Sequence, residues 1–306
     1  MLKKKIVFLL GPTGIGKSAV AISLAKKINA EIISCDSMQV YRKMDILTSK
    51  VTVGQRKKVK HHLLSIIDPE REYNVAEYRR EALSICDKLF SKGKIPLFVG
   101  GTGLYYSIIV DGLFPAVPQN RLIRAKLEKQ LKLKGSKDLY RRLVKVDSAA
   151  AAKIHPHDAR RIIRGLEVYL KTGMRISQLQ KNREGLGKEY SVKIFGLNSA
   201  RQSLYAIIDQ RVDKMFNLGL INEVKRLLKR KLSQTAKCAI GIRELAGYFA
   251  GEHSLAEAKR LMQRNSRHYA KRQLTWFRKD KRIQWISLNK KEAPAQIALK
   301  LWKKLS

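Results

Sequence analysis

The chain has 306 residues, long enough for roughly two domains and a sizeable buried core. It carries 64 Lys+Arg against 25 Asp+Glu, a formal charge of +39, which exceeds what solubility requires and points to a polyanionic partner. Three cysteines, Cys35, Cys86 and Cys238, are odd in number and scattered, which argues against a disulfide framework or zinc site and favours a reducing interior.

The start, Met1-Leu2-Lys3-Lys4-Lys5 followed by apolar residues 6–10, imitates a secretion signal. The apolar part is short and is cut by Gly11-Pro12, so it reads as a first buried strand. With no apolar run long enough to span a bilayer, a soluble cytoplasmic protein is expected. Next comes Gly11-Pro12-Thr13-Gly14-Ile15-Gly16-Lys17-Ser18, a P-loop of the form G-x-x-x-x-G-K-[ST], and then helical spacing over residues 19–28. In such a loop the glycines turn backbone N–H groups toward phosphate oxygens, Lys17 adds a point charge, and Ser18 offers a hydroxyl to Mg²⁺ at the positive end of the helix.

A second strand over residues 31–34 leads into Cys35-Asp36-Ser37-Met38-Gln39-Val40-Tyr41. In a parallel sheet this puts Asp36 at a strand's carboxyl end, where ligands bind. A third strand, residues 95–99, runs into Gly100-Gly101-Thr102-Gly103. The alternation predicts an α/β fold, a P-loop NTPase-like parallel sheet flanked by helices. From about residue 114 the pattern becomes helical, marked by Pro115 and Pro118, and residues 121–189 hold 19 Lys+Arg and 7 Asp+Glu. An inserted all-helical subdomain over 115–189 is expected, within a core built from 1–114 and 190–306. Residues 190–197 read as a returning strand, and helices follow through 212–228 and 255–277.

P-loop enzymes often hold their metal with an aspartate ending a second strand, but residues 95–99 end in glycine. Asp111 follows Thr102-Gly103 too closely, and residues 104–110 read as a helix. Asp36 is then the well-placed carboxylate: it could bind a metal through water, orient an acceptor, take a proton, or simply cap a helix. Thr102 either hydrogen-bonds the transferred group or closes its turn. His61-His62, His155, His157, His253 and His268 lack metal-ligand spacing. Arg260, Arg264, Arg267 and Lys271 fall in one helical stripe suited to a phosphate backbone, in a segment, 256–306, with 15 Lys+Arg and 3 Asp+Glu. Trp276-Phe277 either stacks on unpaired bases or closes a buried helix end.

The P-loop, Asp36-Ser37-Met38-Gln39-Val40-Tyr41, His61-His62-Leu63, Val99-Gly100-Gly101-Thr102-Gly103-Leu104-Tyr105, Asp158 with Arg161, Arg164-Gly165-Leu166-Glu167, Ala239-Ile240-Gly241 and Ala270-Lys271-Arg272-Gln273-Leu274-Thr275-Trp276 occur in one order. Over nearly the whole chain this resembles the bacterial tRNA dimethylallyltransferases, which prenylate the adenosine beside the anticodon. The resemblance implies that Gly11 to Ser18, as quoted above, grip the diphosphate of dimethylallyl diphosphate together with Arg211, with Mg²⁺ on Ser18. It implies Asp36 as proton acceptor and Thr102 as a group positioning the adenine. It further implies that Asp36, Ser37, Met38, Gln39, Thr102, Arg124, Arg160, Arg161, Arg164, Arg243, Lys271, Arg272, Gln273 and Arg278 contact the tRNA anticodon stem-loop. Ser148, His157, Ile207, Ile242 and Leu47 depart from the family's usual residues, and Ile207 and Ile242 do so beside Arg211 and Arg243. A monomer is expected. Rival readings are an adenylate isopentenyltransferase acting on a free nucleotide, a small-molecule kinase with Arg121, Arg124, Arg141 and Arg142 as an ATP lid, and a non-catalytic RNA-binding protein.

Overall fold

A computed structural model describes residues 3–114, 117–289 and 292–305. Met1 and Leu2 of the signal-like start, and Pro115 at the change of pattern, lie outside the described residues. The chain divides into two compact units, one formed by Met1–Ser107 with Lys188–Ser306 and the other by Ile108–Gly187.

The first unit begins with β1 (Lys4–Leu10), α1 (Lys17–Lys27), β2 (Ala30–Cys35), α2 (Val53–Lys58), β3 (His61–His62), α3 (Val75–Phe90), β4 (Ile95–Gly100) and α4 (Gly103–Val110), whose end enters the second unit. The second unit continues with α5 (Arg121–Val146), α6 (Ser148–Ala151), α7 (Ala159–Thr172) and α8 (Ile176–Leu179). The chain then returns through β5 (Tyr190–Asn198), α9 (Arg201–Asn217), α10 (Leu220–Leu228), a 3-10 turn at Ala236–Cys238, α11 (Ile242–Phe249), α12 (Leu255–Phe277), β6 (Gln284–Ser287) and α13 (Pro294–Lys303).

The six strands form one parallel sheet in the order β3-β2-β4-β1-β5-β6. β1 lies in the middle and is apolar on both faces, as a parallel strand covered by helices on both sides must be. Val7 and Leu9 join Val20, Leu24, Leu204, Ile208, Ala298 and Leu301 in one core. Phe8 points the other way, stacked on Phe98 at 4.7 Å and edge-on to Tyr106, which in turn meets Phe277. Phe277 is therefore a core residue, whereas its neighbour Trp276 is 41% exposed.

The α/β expectation holds, and β3 and β6 extend the sheet at its two edges beyond the strands read from sequence. Residues 212–228 hold parts of two helices because Gly219, at φ 94°, ends the turn between α9 and α10. α12 has the bounds expected of it, and residues 104–110 are helical, which removes Asp111 from any strand end. Among the described residues no helix is long and apolar enough to cross a membrane.

The helical unit has its own core, with Leu127, Leu139 and Leu143 of α5 against Ile162, Ile163 and Leu166 of α7. Glu167 is fully buried there, accepting the Asn120 N–H at 2.9 Å and pairing with Arg164 at 2.9 Å.

Candidate functional site

The loop between β1 and α1 is built to receive an anion. Gly14 and Gly16 both take left-handed backbone angles, φ 85° and 87°, and Gly16 stands at the start of α1 with no side chain capping the first turn. The first N–H groups of α1 therefore remain available to a ligand at the positive helix end. Lys17 folds back over the loop, donating to the carbonyls of Gly11 at 2.9 Å and Pro12 at 2.8 Å. From α9, Arg211 donates to Thr13 Oγ1 at 2.7 Å and to Ser49 Oγ at 2.8 Å.

Asp36 follows the carboxyl end of β2. Its Oδ1 accepts the N–H groups of Met38 at 2.9 Å and Gln39 at 3.3 Å, but residues 37–40 form a turn, so Asp36 closes a turn and caps no helix, and its second carboxylate oxygen is left for other work. Thr102 leaves the end of β4. Its Oγ1 accepts the Ser37 N–H at 3.0 Å, and its own N–H donates to the Cys35 carbonyl at 3.1 Å. Asp36, Ser37 and Thr102 thus form one wall.

Electrostatics bring that wall and the loop together. Burial lowers the Lys17 ammonium to about 8, a shift that Asp36 opposes and Arg211 reinforces. Burial also lowers Arg211, again against the pull of Asp36. Burial pushes the Cys35 thiol up to about 12, which keeps it a thiol. Two cations and one carboxylate therefore converge at the carboxyl ends of the strands, where an open α/β sheet binds its ligands.

The remaining candidates divide by environment. Ser37, Met38 and Gln39 are half-buried around Asp36, and Lys271, Arg272, Arg243 and Arg278 are exposed. In the helical unit Arg160 is exposed, Arg161 pairs with Asp158, and Arg124 pairs with Glu128.

Two candidates are engaged within the protein. Gln273 is only 5% exposed; its Oε1 accepts the Thr13 N–H at 2.8 Å and its Nε2 donates to the Gly101 carbonyl at 2.8 Å, so its carboxamide faces inward. Arg164 neutralises buried Glu167 and donates to the Val117 carbonyl at 2.7 Å, a tie that stabilises its own unit. The cationic stripe is also partly spent: Glu257 holds Arg260 through two hydrogen bonds, and Asp209 holds Arg267 at 2.6 Å. Three of the four arginines of the proposed ATP lid are engaged along α5 itself, Arg124 by Glu128, Arg141 by Asp138 and Arg142 by Gln130, while Arg121 is exposed.

Two residues near the site carry no readable sequence signal. Glu223 on α10 accepts the N–H groups of Asp45, Ile46 and Leu47, holding the loop that carries Ser49. Tyr269 on α12 brings its hydroxyl to Thr102 and Gln273. Among the described residues no group of three or more His, Cys, Asp or Glu could hold a metal ion.

A family model described as IPP transferase matches residues 39–280, and one described as isopentenyl transferase matches residues 4–63. The tRNA dimethylallyltransferase of Carboxydothermus hydrogenoformans is 46% identical over 291 residues, covering 94% of each chain. That of Halothermothrix orenii is 43% identical over 287 residues, covering 93% of this chain and 88% of the relative. Among solved structures, the tRNA isopentenylpyrophosphate transferase of Bacillus halodurans superposes with a TM-score of 0.72 at 37% identity, covering 99% of this chain and 97% of that one. A eukaryotic dimethylallyltransferase acting on tRNA gives a TM-score of 0.75 at 30% identity, over 93% of this chain and 74% of that one.

Proposed function

The chain belongs to the tRNA dimethylallyltransferase family and transfers a dimethylallyl group to tRNA, and on that premise we propose how its residues divide the work. The donor is dimethylallyl diphosphate, gripped by the loop Gly11 to Ser18 with Lys17 and Arg211. The acceptor is the exocyclic amine of the adenosine beside the anticodon. The amine nitrogen attacks the allylic carbon, the carbon–oxygen bond to diphosphate breaks, and the amine proton passes to Asp36.

The observation that supports this reading best is the meeting of Lys17, Arg211 and Asp36 at one end of the sheet. Charge builds on the departing diphosphate, and fixed cations and loop amides stabilise it as it forms. A carboxylate opposite the cradle suits an acceptor that loses a proton. The adenine must leave its stack to reach the donor, at a cost of a few kcal/mol that is smaller in a loop than in a duplex. Thr102, whose Oγ1 accepts the Ser37 N–H beside Asp36, orients the base in this reading.

Mg²⁺ would be held by the Ser18 hydroxyl at the open start of α1, where it would add positive charge against the leaving group. A kinase reading is disfavoured because β4 ends in Gly100, with no aspartate there to hold a metal for a γ-phosphate. The exposed basic residues Lys271, Arg272 and Arg278 suit an RNA acceptor better than a free nucleotide.

The test is incubation with labelled dimethylallyl diphosphate, Mg²⁺ and unmodified tRNA, with AMP as a competing acceptor. Label in tRNA at the adenosine beside the anticodon is expected. Label in AMP alone, or none in either from folded protein, refutes the assignment.

A further inference from the structure

Prenyl transfer joins two partners held by different loops. The leaving diphosphate belongs to the loop after β1, the acceptor base to the wall formed after β2 and β4. Reaction requires the two reacting atoms within roughly 3–3.5 Å and in line, and a misplacement of about 1 Å can cost a hundredfold in rate. Something must set the distance between cradle and wall.

That spacer is on α12. Gln273 and Tyr269 are four residues apart, hence on one helical face. The Gln273 carboxamide takes the Thr13 N–H at its oxygen and gives one N–H to the Gly101 carbonyl, both at 2.8 Å. The Tyr269 hydroxyl lies beside Gln273 and Thr102. One turn beyond Gln273, the Trp276 indole lies on Gly103, where an added methyl carbon would come within 2.3 Å of Cδ1. The Gln273 carboxamide thus ties the P-loop backbone to the residue before Thr102, with the Tyr269 hydroxyl beside it. An apolar side chain of the same size would fill the space of Gln273 without the desolvation a buried carboxamide incurs. Packing alone therefore does not account for it.

We propose that Gln273 and Tyr269 are positioning residues that fix the separation between the diphosphate cradle and Thr102, and so the attack geometry of the transfer. The inference rests on the prenyl-transfer reading above. Neither residue needs to touch the reacting atoms. Their removal should slow the chemical step while leaving both substrates bound.

The experiment compares wild type, Tyr269→Phe, Gln273→Met and the double variant. Each is pre-bound to saturating tRNA, mixed with saturating labelled dimethylallyl diphosphate, and followed through a single turnover. Dissociation constants for tRNA and for inorganic pyrophosphate are measured alongside, with thermal melting as the check on folding. The expected result is a rate lowered about tenfold or more in Gln273→Met and several-fold in Tyr269→Phe, with both dissociation constants within about threefold of wild type. Because the two residues act on the same separation, the double variant should be no slower than Gln273→Met. Full-speed transfer by Tyr269→Phe, losses that multiply in the double variant, or losses matched by weaker binding would each overturn the inference. Should Gln273→Met not fold, Tyr269→Phe decides alone, since it removes one oxygen atom. A wild type that labels no tRNA overturns the reading beneath; a wild type that does, beside a Tyr269→Phe of undiminished rate, overturns this inference only.

Discussion

Asp36 holds its turn and is proposed to take the amine proton, two roles that a single substitution separates. Its Oδ1 accepts the N–H groups of Met38 and Gln39, a role that asparagine's side-chain oxygen fills as well. Asn cannot take a proton. Asp36→Asn should therefore lower single-turnover transfer by about 10²–10⁴-fold while leaving the melting temperature and tRNA affinity close to wild type. Transfer at the wild-type rate would assign the residue to its turn alone. Lys17 gives a second residue-scale prediction. Burial brings its ammonium down to about 8, so the charged form proposed to attract diphosphate is complete below that pH and is lost as pH rises through it. A bound anion favours the charged form, so binding above pH 8 must take up a proton. Calorimetric titration with inorganic pyrophosphate in buffers of different ionisation enthalpy should show uptake approaching one proton at about pH 9, shrinking toward neutrality, with affinity falling over the same range. Affinity flat across that interval would place the group's titration elsewhere.

Between residues and molecule, the loop after β2 shows how one side chain supports a site from outside it. Glu223 on α10 receives three backbone N–H groups, from Asp45 at 3.0 Å, Ile46 at 3.0 Å and Leu47 at 2.8 Å. Two residues further on, the Ser49 hydroxyl holds Arg211. Glu223→Ala leaves those donors without their acceptor and should cost about 2 kcal/mol of stability or more. It should also raise the KM for dimethylallyl diphosphate by loosening Arg211, a change that addition of tRNA would not correct. Nothing in the sequence marks Glu223, because its partners lie about 180 positions away and carry no distinctive side chains. The same holds for Gln273, whose neighbours Lys271 and Arg272 suggest a surface contact until the fold turns its carboxamide inward. By contrast β1, β2, β4 and β5 were legible as apolar runs closed by glycine or polar turns, and the strand–loop–helix context made the P-loop readable with its neighbours. β3, of two residues, and β6, of four with its ends exposed and its middle half-buried, are too short for a pattern to form. The break between α9 and α10 depends on one glycine taking a left-handed angle, which sequence permits without requiring.

For the whole molecule, a charge of +39 guarantees attraction to RNA but says little about which cations deliver it. The stripe Arg260, Arg264, Arg267 and Lys271 illustrates the difference. Arg260 is already chelated by Glu257, and Arg267 by Asp209, whereas Arg264 and Lys271 stand exposed. A cation that keeps its carboxylate partner releases no counterion when a phosphate approaches, so it adds little to the salt dependence of binding. Measured as log Kd for tRNA against log salt concentration, Lys271→Ala and Arg264→Ala should each flatten the slope by about 0.7–0.9, the value for one phosphate contact. Arg260→Ala and Arg267→Ala should change it far less, and loss of Arg267 should lower stability by leaving Asp209 without its partner. Equal slopes for all four variants would mean that the ion pairs open on binding and that the whole stripe meets the phosphate backbone.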